Sequence, residues 1–286
     1  MKIRKAIIPV AGLGTRFLPA SKAVPKVLLP VFDTPAIHFV VNEALYAGIE
    51  HLIFVISPQQ DMIKKYFSNS SELELELGKR GHPNKLDEIK YFQNNLRLDY
   101  VYQNKQLGLG HAILLAEKKI DREPFAVLLP DDIISPVPNL IAKLMEISND
   151  KQACSFALKE VPDKLVSSLG IVKAKSKEEN IYSIESLVEK PSITEAPSNL
   201  AVIGRYILTP NTFEILKNTR PGIGGEIQLT DALSQLIQSQ SIYGYQFPGI
   251  HFDVGTPIGL LKASTFRAIN EKEYNEEFRE WFNKML

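Results

Sequence analysis

Cysteine is almost missing: one thiol, Cys154, stands in 286 residues. That excludes an internal disulfide framework and a metal site built from several thiolates, and the apolar neighbours of Cys154 mark it as a core residue in a reducing compartment. Five scattered histidines show no ligand spacing, so surface or core roles suit them better than metal binding. Net charge is absent as well. Thirty-three basic residues balance 33 acidic ones, which leaves no global field to recruit nucleic acid or anionic lipid, so any phosphate must be captured locally. No apolar run approaches the roughly 18 residues needed to cross a bilayer. The amino end, Met1 to Lys5, leads into a glycine loop without the apolar stretch and cleavage site of a signal peptide. The expectation is a cytoplasmic protein with neither nucleic acid nor membrane as partner.

What is present begins with Ile7-Ile8-Pro9-Val10-Ala11-Gly12-Leu13-Gly14-Thr15-Arg16, followed by Pro25-Lys26. A β-branched run that breaks into Gly-Leu-Gly and then a basic residue predicts a buried strand ending in a loop of exposed N–H groups. Such a loop suits an anion: glycine lets a phosphate or base approach the backbone, and Arg16 and Lys26 supply charge. Two other phosphate motifs are excluded. A dinucleotide fingerprint wants glycine where Phe17 stands, and the Gly78-Lys79 pair is followed by Arg80 where a P-loop needs Ser or Thr.

Alternation carries the fold class. Ala36 to Ala47 has helical apolar spacing closed by Gly48, Leu52 to Ile56 reads as a strand covered on both faces, and a helical stretch at Ala112 to Lys118 precedes the strand Phe125 to Leu129. This predicts an α/β fold with a doubly wound, mostly parallel (mixed) sheet, Rossmann-like, with added strands and helices and with ligands at the carboxyl ends of the strands. Between Tyr66 and Tyr100 the chain turns polar. The Ser68 to Ser71 run suits a helix cap, the Leu-Glu alternation to Leu77 fits no one face well, and the segment reads as a helical insertion outside the sheet. Beyond Ala153 strands are predicted at Cys154–Leu158, Gly170–Ala174, Ile181–Val188 and Ala201–Leu208, helices at Thr212–Leu216 and Thr230–Gln238, and a helical tail over Ala263–Leu286. No repeat or linker interrupts residues 1–286, so one unit is expected, with a nucleotide half to about residue 150 and a substrate half after it.

Acids fall at strand ends. Asp131-Asp132 follows the Phe125 run and Asp253 follows another apolar segment; carboxylates there are costly unless they face a cleft or a cation. Two acids so placed suit Mg²⁺, which takes one or two carboxylates and leaves its other positions to water and phosphate. Each Asp equally suits the cap of a turn. Glu189-Lys190-Pro191 also ends a strand, where the two charges form either a surface pair or a site. Gly222 to Asp231 combines a glycine loop with a helix start that Thr230 or Asp231 would cap.

Taken together, Ala11-Gly12-Leu13-Gly14-Thr15-Arg16, Pro25-Lys26, Gln103 with Gly108-Leu109-Gly110-His111-Ala112, Leu129-Pro130-Asp131-Asp132, Val188-Glu189-Lys190-Pro191, Ala196 to Ala201, Gly204-Arg205-Tyr206 and Gly225 to Asp231 resemble the sugar-phosphate nucleotidyltransferase family. The likeness runs from about residue 3 to residue 265, and the Tyr66–Leu77 pattern resembles the bacterial uridylyltransferase branch. The resemblance implies transfer of UMP from UTP to glucose 1-phosphate, giving UDP-glucose and pyrophosphate, with Mg²⁺ as cofactor. It also implies residue roles. Ala11, Gly12, Gln103 and Gly108 would hold uracil, while Gly14, Thr15, Arg16 and Lys26 hold the triphosphate. Asp131 and Asp253 would bind Mg²⁺, Glu189 the sugar hydroxyls and Lys190 the sugar phosphate; Gly170, Gly204 and Glu226 would shape the sugar pocket. Arg16, Lys26, Asp131 and Lys190 would be the catalytic set. A homo-oligomer, dimer or tetramer, is expected, with the insertion and the tail as candidate contacts.

Two positions depart from the family pattern: Val27 replaces a usual glutamate and Leu169 a usual tyrosine. They leave open the same chemistry on dTTP or another sugar 1-phosphate, or a regulatory paralogue. No nucleophilic triad is needed in any case. A phosphate monoester with a second pKa of about 6 is a dianion at neutral pH, so the barrier is repulsion and alignment rather than deprotonation.

Overall fold

The computed structural model describes residues 2–69, 71–81, 86–135 and 139–285. The strands are β1 (Lys5–Pro9), β2 (Pro30–Val31), β3 (Thr34–Pro35), β4 (His51–Ile56), β5 (Arg97–Tyr102), β6 (Phe125–Leu128) and β7 (Asp132–Ser135), then β8 (Cys154–Glu160), β9 (Gly170–Glu178), β10 (Ile181–Glu189), β11 (Leu200–Leu208), β12 (Ile242–Gln246) and β13 (Ile250–Asp253). Among the described residues, nine of them form one sheet in the order β5-β4-β1-β6-β11-β8-β12-β10-β9. The side β5-β4-β1-β6 is parallel, β11 enters antiparallel to β6 and β8, and β12 runs parallel to β8. Parallel pairing brings the carboxyl ends of β5, β4, β1 and β6 to one edge.

Continuous apolar runs have a direct cause here. Side chains alternate between the two faces of a strand, and both faces are covered by helices. Ile7, Ile53, Val55, Phe125 and Val127 pack with Ala112, Ile113 and Leu233 on one face. Ala6, Ile8, Leu52, Phe54, Ile56, Ala126 and Leu128 pack with Val40, Val41, Ala44 and Leu144 on the other. In the helix Ala36–Tyr46, Ile37, Val40, Val41 and Ala44 form the buried stripe, and Gly48 at φ 83° follows its end, a left-handed position that glycine adopts without strain.

The C-terminal half curls. β9 closes back on β11 at the pair Ile171–Ala201, helped by register shifts in β10 around Ile184 and in β11 between Ile203 and Tyr206. Such bulges bend a strand and re-aim its side chains.

Several elements differ from the sequence expectations. Arg97–Tyr102, placed mostly in the insertion, is an edge strand paired with β4, where polar residues at one face are tolerated. The insertion also contributes core: Phe67 and Phe92 are buried beside the first helix, while the helix Ser71–Lys79 buries nothing. Ser70, part of the expected cap, lies outside the described residues. The stretch at Ala112–Lys118 is two helices, Leu109–Leu115 and Glu117–Ile120, and the tail is also two, Pro257–Asn270 and Asn275–Met285. No helix among the described residues is long and apolar enough to cross a membrane.

Candidate active site

The loop after β1 is built tightly around Gly14. At φ 65° this glycine begins a short 3₁₀ turn, Thr15–Phe17, and a Cβ there would press on Lys26 Cβ at 3.1 Å and Ser21 Cβ at 3.3 Å. Ser21 Oγ donates to the Gly14 carbonyl at 2.7 Å, and Gln60 Nε2 donates to the Gly12 carbonyl at 3.3 Å. Gly12, Thr15 and Arg16 stay exposed while Ala11 is buried. Beside them, at the end of β5, buried Gln103 contacts the Gly108 carbonyl at 3.2 Å and His111 Nδ1 at 2.9 Å.

The acidic turn after β6 meets this loop. Lys26 Nζ lies 2.6 Å from Asp131 Oδ2. Asp253 arrives from far along the chain because β13 pairs antiparallel with β7, which sets Asp253 opposite Asp132. Asp131 and Asp253 converge on one point: a Cβ at Gly255 would sit 2.9 Å from Asp253 Oδ1 and 3.0 Å from Asp131 Oδ2. Burial raises the Asp253 pKa, and the Asp132 and Asp131 carboxylates raise it further against the opposing pull of the Gly255 N–H and the Arg16 charge. Crowded carboxylates of this kind suit a divalent cation. Asp132 is otherwise engaged: Oδ1 is 2.5 Å from His251 Nε2 and Oδ2 accepts from the Gly204 N–H at 3.1 Å. Burial disfavours its charge, but the His251 contact, Arg205 and the Gly204 N–H hold its pKa low.

Across the sheet, Glu189 and Lys190 end β10, 3.2 Å apart. Lys190 takes a left-handed backbone, φ 46°, an uncommon conformation for a residue with a Cβ, and its N–H donates to the Leu169 carbonyl at 3.0 Å. A Cβ at Gly170 would meet Thr230 Oγ1 at 2.9 Å and Glu189 Oε2 at 3.3 Å, so this glycine keeps Glu189 and the next helix close. Tyr206 is buried on β11, where the charges of both Glu189 and the acidic turn act on it. Its phenol pKa is driven up by burial and then by Asp132, Glu189 and Asp131. Glu226 accepts from Gln228 Nε2 at 3.0 Å, and its loop is tied to the nucleotide side by Gly110 N–H to Ile227 carbonyl and Ile227 N–H to Leu107 carbonyl bonds, each 2.8 Å. A Cβ at Gly108, whose φ is 96°, would clash with Glu226 Cβ at 2.8 Å.

Gly204 lies under the acidic turn, where a Cβ would clash with Asp132 and stand 2.5 Å from Leu129 Cβ. Thr230 and Asp231 do not cap their helix: it begins at Leu229, so both lie inside its first turn, Gln228 holds the cap position without a side-chain bond, and Thr230 is turned toward Gly170. Val27 packs down into the core, and Leu169 joins Val161, Val166, Ile171 and Ala201. Sequence reasoning quoted Arg205 and Tyr206 within the Gly204-Arg205-Tyr206 motif without giving either a role, and placed His251 among the surface or core histidines, where its partner is Asp132. An arginine inside the apolar run Leu200–Leu208 is the signal that was there to be read, since a charge is buried at such a place only with partners.

Fold and site together define a class, the nucleotidyl transferases, and the model of that family matches residues 5–269. A UTP–glucose-1-phosphate uridylyltransferase of Staphylococcus epidermidis is 41% identical over 284 residues, 99% of this chain and 99% of that protein. A structure of UDP-glucose pyrophosphorylase complexed with UDP-glucose superimposes with a TM-score of 0.86 at 40% identity, covering 93% of this chain and 98% of the other. The UTP-bound enzyme of Acinetobacter baumannii gives 0.91 at 37% identity over the whole of both chains. The chain belongs to the family of UTP–glucose-1-phosphate uridylyltransferases.

Proposed function

We propose that this chain transfers UMP from UTP to glucose 1-phosphate, releasing UDP-glucose and pyrophosphate. The observation that carries the reading is the meeting of Lys26, Asp131 and Asp253 at one sheet edge, with the Arg16 charge acting on Asp253 and Glu189 and Lys190 paired at the end of β10. The relatives named UTP–glucose-1-phosphate uridylyltransferase and the neighbours bound to UDP-glucose and to UTP support the choice of substrates.

Each side chain then has a task. Backbone of Ala11 and Gly12 holds uracil together with Gln103, which is fixed against Gly108. Gly14, Thr15, Arg16 and Lys26 cradle the triphosphate, and Arg16 and Lys26 carry the positive charge that lets a dianionic sugar phosphate approach it. Glu189 accepts from sugar hydroxyls while Lys190 orients the sugar phosphate in line with the α-phosphorus; Gly170 and Glu226 shape that pocket, and Gly204 holds the acidic turn beneath it. Such positioning and charge compensation are the main levers available when the nucleophile needs no base.

Asp131 and Asp253 fit Mg²⁺: Asp131 Oδ2, paired with Lys26, and Asp253 Oδ1, bonded to the Gly255 N–H, are oxygen donors aimed at one point, while the Asp132 oxygens are turned to His251 and Gly204. When bound there, Mg²⁺ neutralises and polarises the phosphate oxygens. The test is pyrophosphate release over a panel of nucleoside triphosphates and sugar 1-phosphates, with and without Mg²⁺. UTP with glucose 1-phosphate and Mg²⁺ is the expected best combination; dTTP or galactose 1-phosphate outrunning it, or UTP binding without release, overturns the reading.

A further inference from the structure

Arg205 is 1% exposed, in the middle of a strand whose every other residue is buried. It sits in the bulge where β11 loses register with β8: Ile203 faces Ala157 and Tyr206 faces Phe156, so Gly204 and Arg205 have no partners on that side. The bulge turns the guanidinium toward the acidic turn. There Nη1 donates to the Leu129 carbonyl at 2.9 Å and the Gly204 carbonyl at 3.0 Å, and Nη2 donates to the Asp132 carbonyl at 2.7 Å. Leu129 and Asp132 bracket Pro130-Asp131, so one rigid fork grips both ends of the segment that carries Asp131. Behind it, Glu43 from the first helix takes Nε at 2.9 Å and Nη2 at 2.8 Å on Oε2.

A buried cation is costly unless its donors are used, and this one divides them between the Leu129 and Asp132 carbonyls of the acidic turn, the Gly204 carbonyl and the Glu43 carboxylate. We infer that Arg205, backed by Glu43, is a positioning residue for the divalent cation: it clamps the backbone on both sides of Asp131 so that this carboxylate meets Asp253 above Gly255. The inference rests on the reading that Asp131 and Asp253 hold that cation. Lysine cannot replace the fork, because one ammonium does not reach Leu129, Asp132 and Glu43 in a fixed plane. A cavity of about 220 Å³ lined by Arg205, Glu43, Phe39 and Ile133 borders the clamp, so a shorter side chain leaves room for water instead of forcing the core to collapse.

The experiment titrates Mn²⁺ into the wild-type protein, Arg205→Lys and Glu43→Gln without substrates, following free Mn²⁺ by electron paramagnetic resonance, with melting temperature as the check on folding. Mg²⁺ half-saturation and the KM for glucose 1-phosphate are measured alongside. Arg205→Lys is expected to weaken Mn²⁺ binding by about 10-fold or more, the range for residues that orient metal ligands. Glu43→Gln is expected to weaken it less, and the KM for glucose 1-phosphate should hold in both, since Glu189 and Lys190 end a different strand. A folded Arg205→Lys protein with wild-type Mn²⁺ affinity overturns the inference, as does an equal rise in KM for glucose 1-phosphate; if Arg205→Lys does not fold, wild-type affinity in Glu43→Gln overturns it. A wild-type protein that neither binds Mn²⁺ nor responds to Mg²⁺ overturns the cation reading and this inference with it, whereas unchanged variants beside a responsive wild type overturn the clamp alone.

Discussion

Lys190 is held in a left-handed conformation by its bond to Leu169, directly after Glu189, so its ammonium is preset where β10 ends. Removing one such preorganised charge typically lowers turnover on the order of 10²–10³. Lys190→Ala should therefore melt like the wild type and lose activity by that factor in a pyrophosphate-release assay. Gly255 makes a different prediction. A methyl group there lands between Asp131 and Asp253, so Gly255→Ala should abolish Mn²⁺ binding seen by calorimetry while far-ultraviolet circular dichroism stays unchanged. These residues differ in how legible they are. Gly14, Lys26 and Lys190 announce themselves by motif, whereas nothing near Gly255 in the chain says that Asp131 will be its neighbour.

β4 and β5 form the rim of the parallel half, and their pairing sets His51 beside Asp99 with Nε2 to Oδ2 at 3.0 Å. Burial lowers the His51 pKa from its ordinary 6.5, against the opposing pull of Asp99. The folded state thus favours neutral His51 more than the unfolded chain does. The stability this gives is present above pH 6.5 and is lost as pH falls through the lowered value. Melting temperature should decline as pH drops below 6.5, and His51→Gln should flatten that decline; an unchanged profile in the variant would sink the assignment. β5 itself was hard to see in the sequence because an edge strand is allowed polar residues, which erase the apolar run that marks β4. By contrast β1, β4 and β6 are covered on both faces, and their β-branched runs give them away.

The helix Asn275–Met285 buries no residue, leaves Trp281 52% exposed, and lies beyond the family match that ends at residue 269. Deleting residues 275–286 should leave pyrophosphate release and melting temperature close to wild type; a large loss of either would mean that this helix supports the body of the fold. The amino-acid sequence by itself determined the local pieces: a glycine loop after a buried strand, acids at strand ends, helices and strands in alternation. Those follow from short-range sterics and from the period of apolar residues, which any stretch carries within itself. Which pieces meet was decided by tertiary structure. The register of β13 on β7 carries Asp253 to Asp131, the return of β9 to β11 curls the C-terminal half, and a bulge turns Arg205 onto the acidic turn with Glu43 behind it. A strand's alternation says which face is buried but not which distant strand will lie beside it, so these contacts exist once the sheet is assembled and are not written in any one segment.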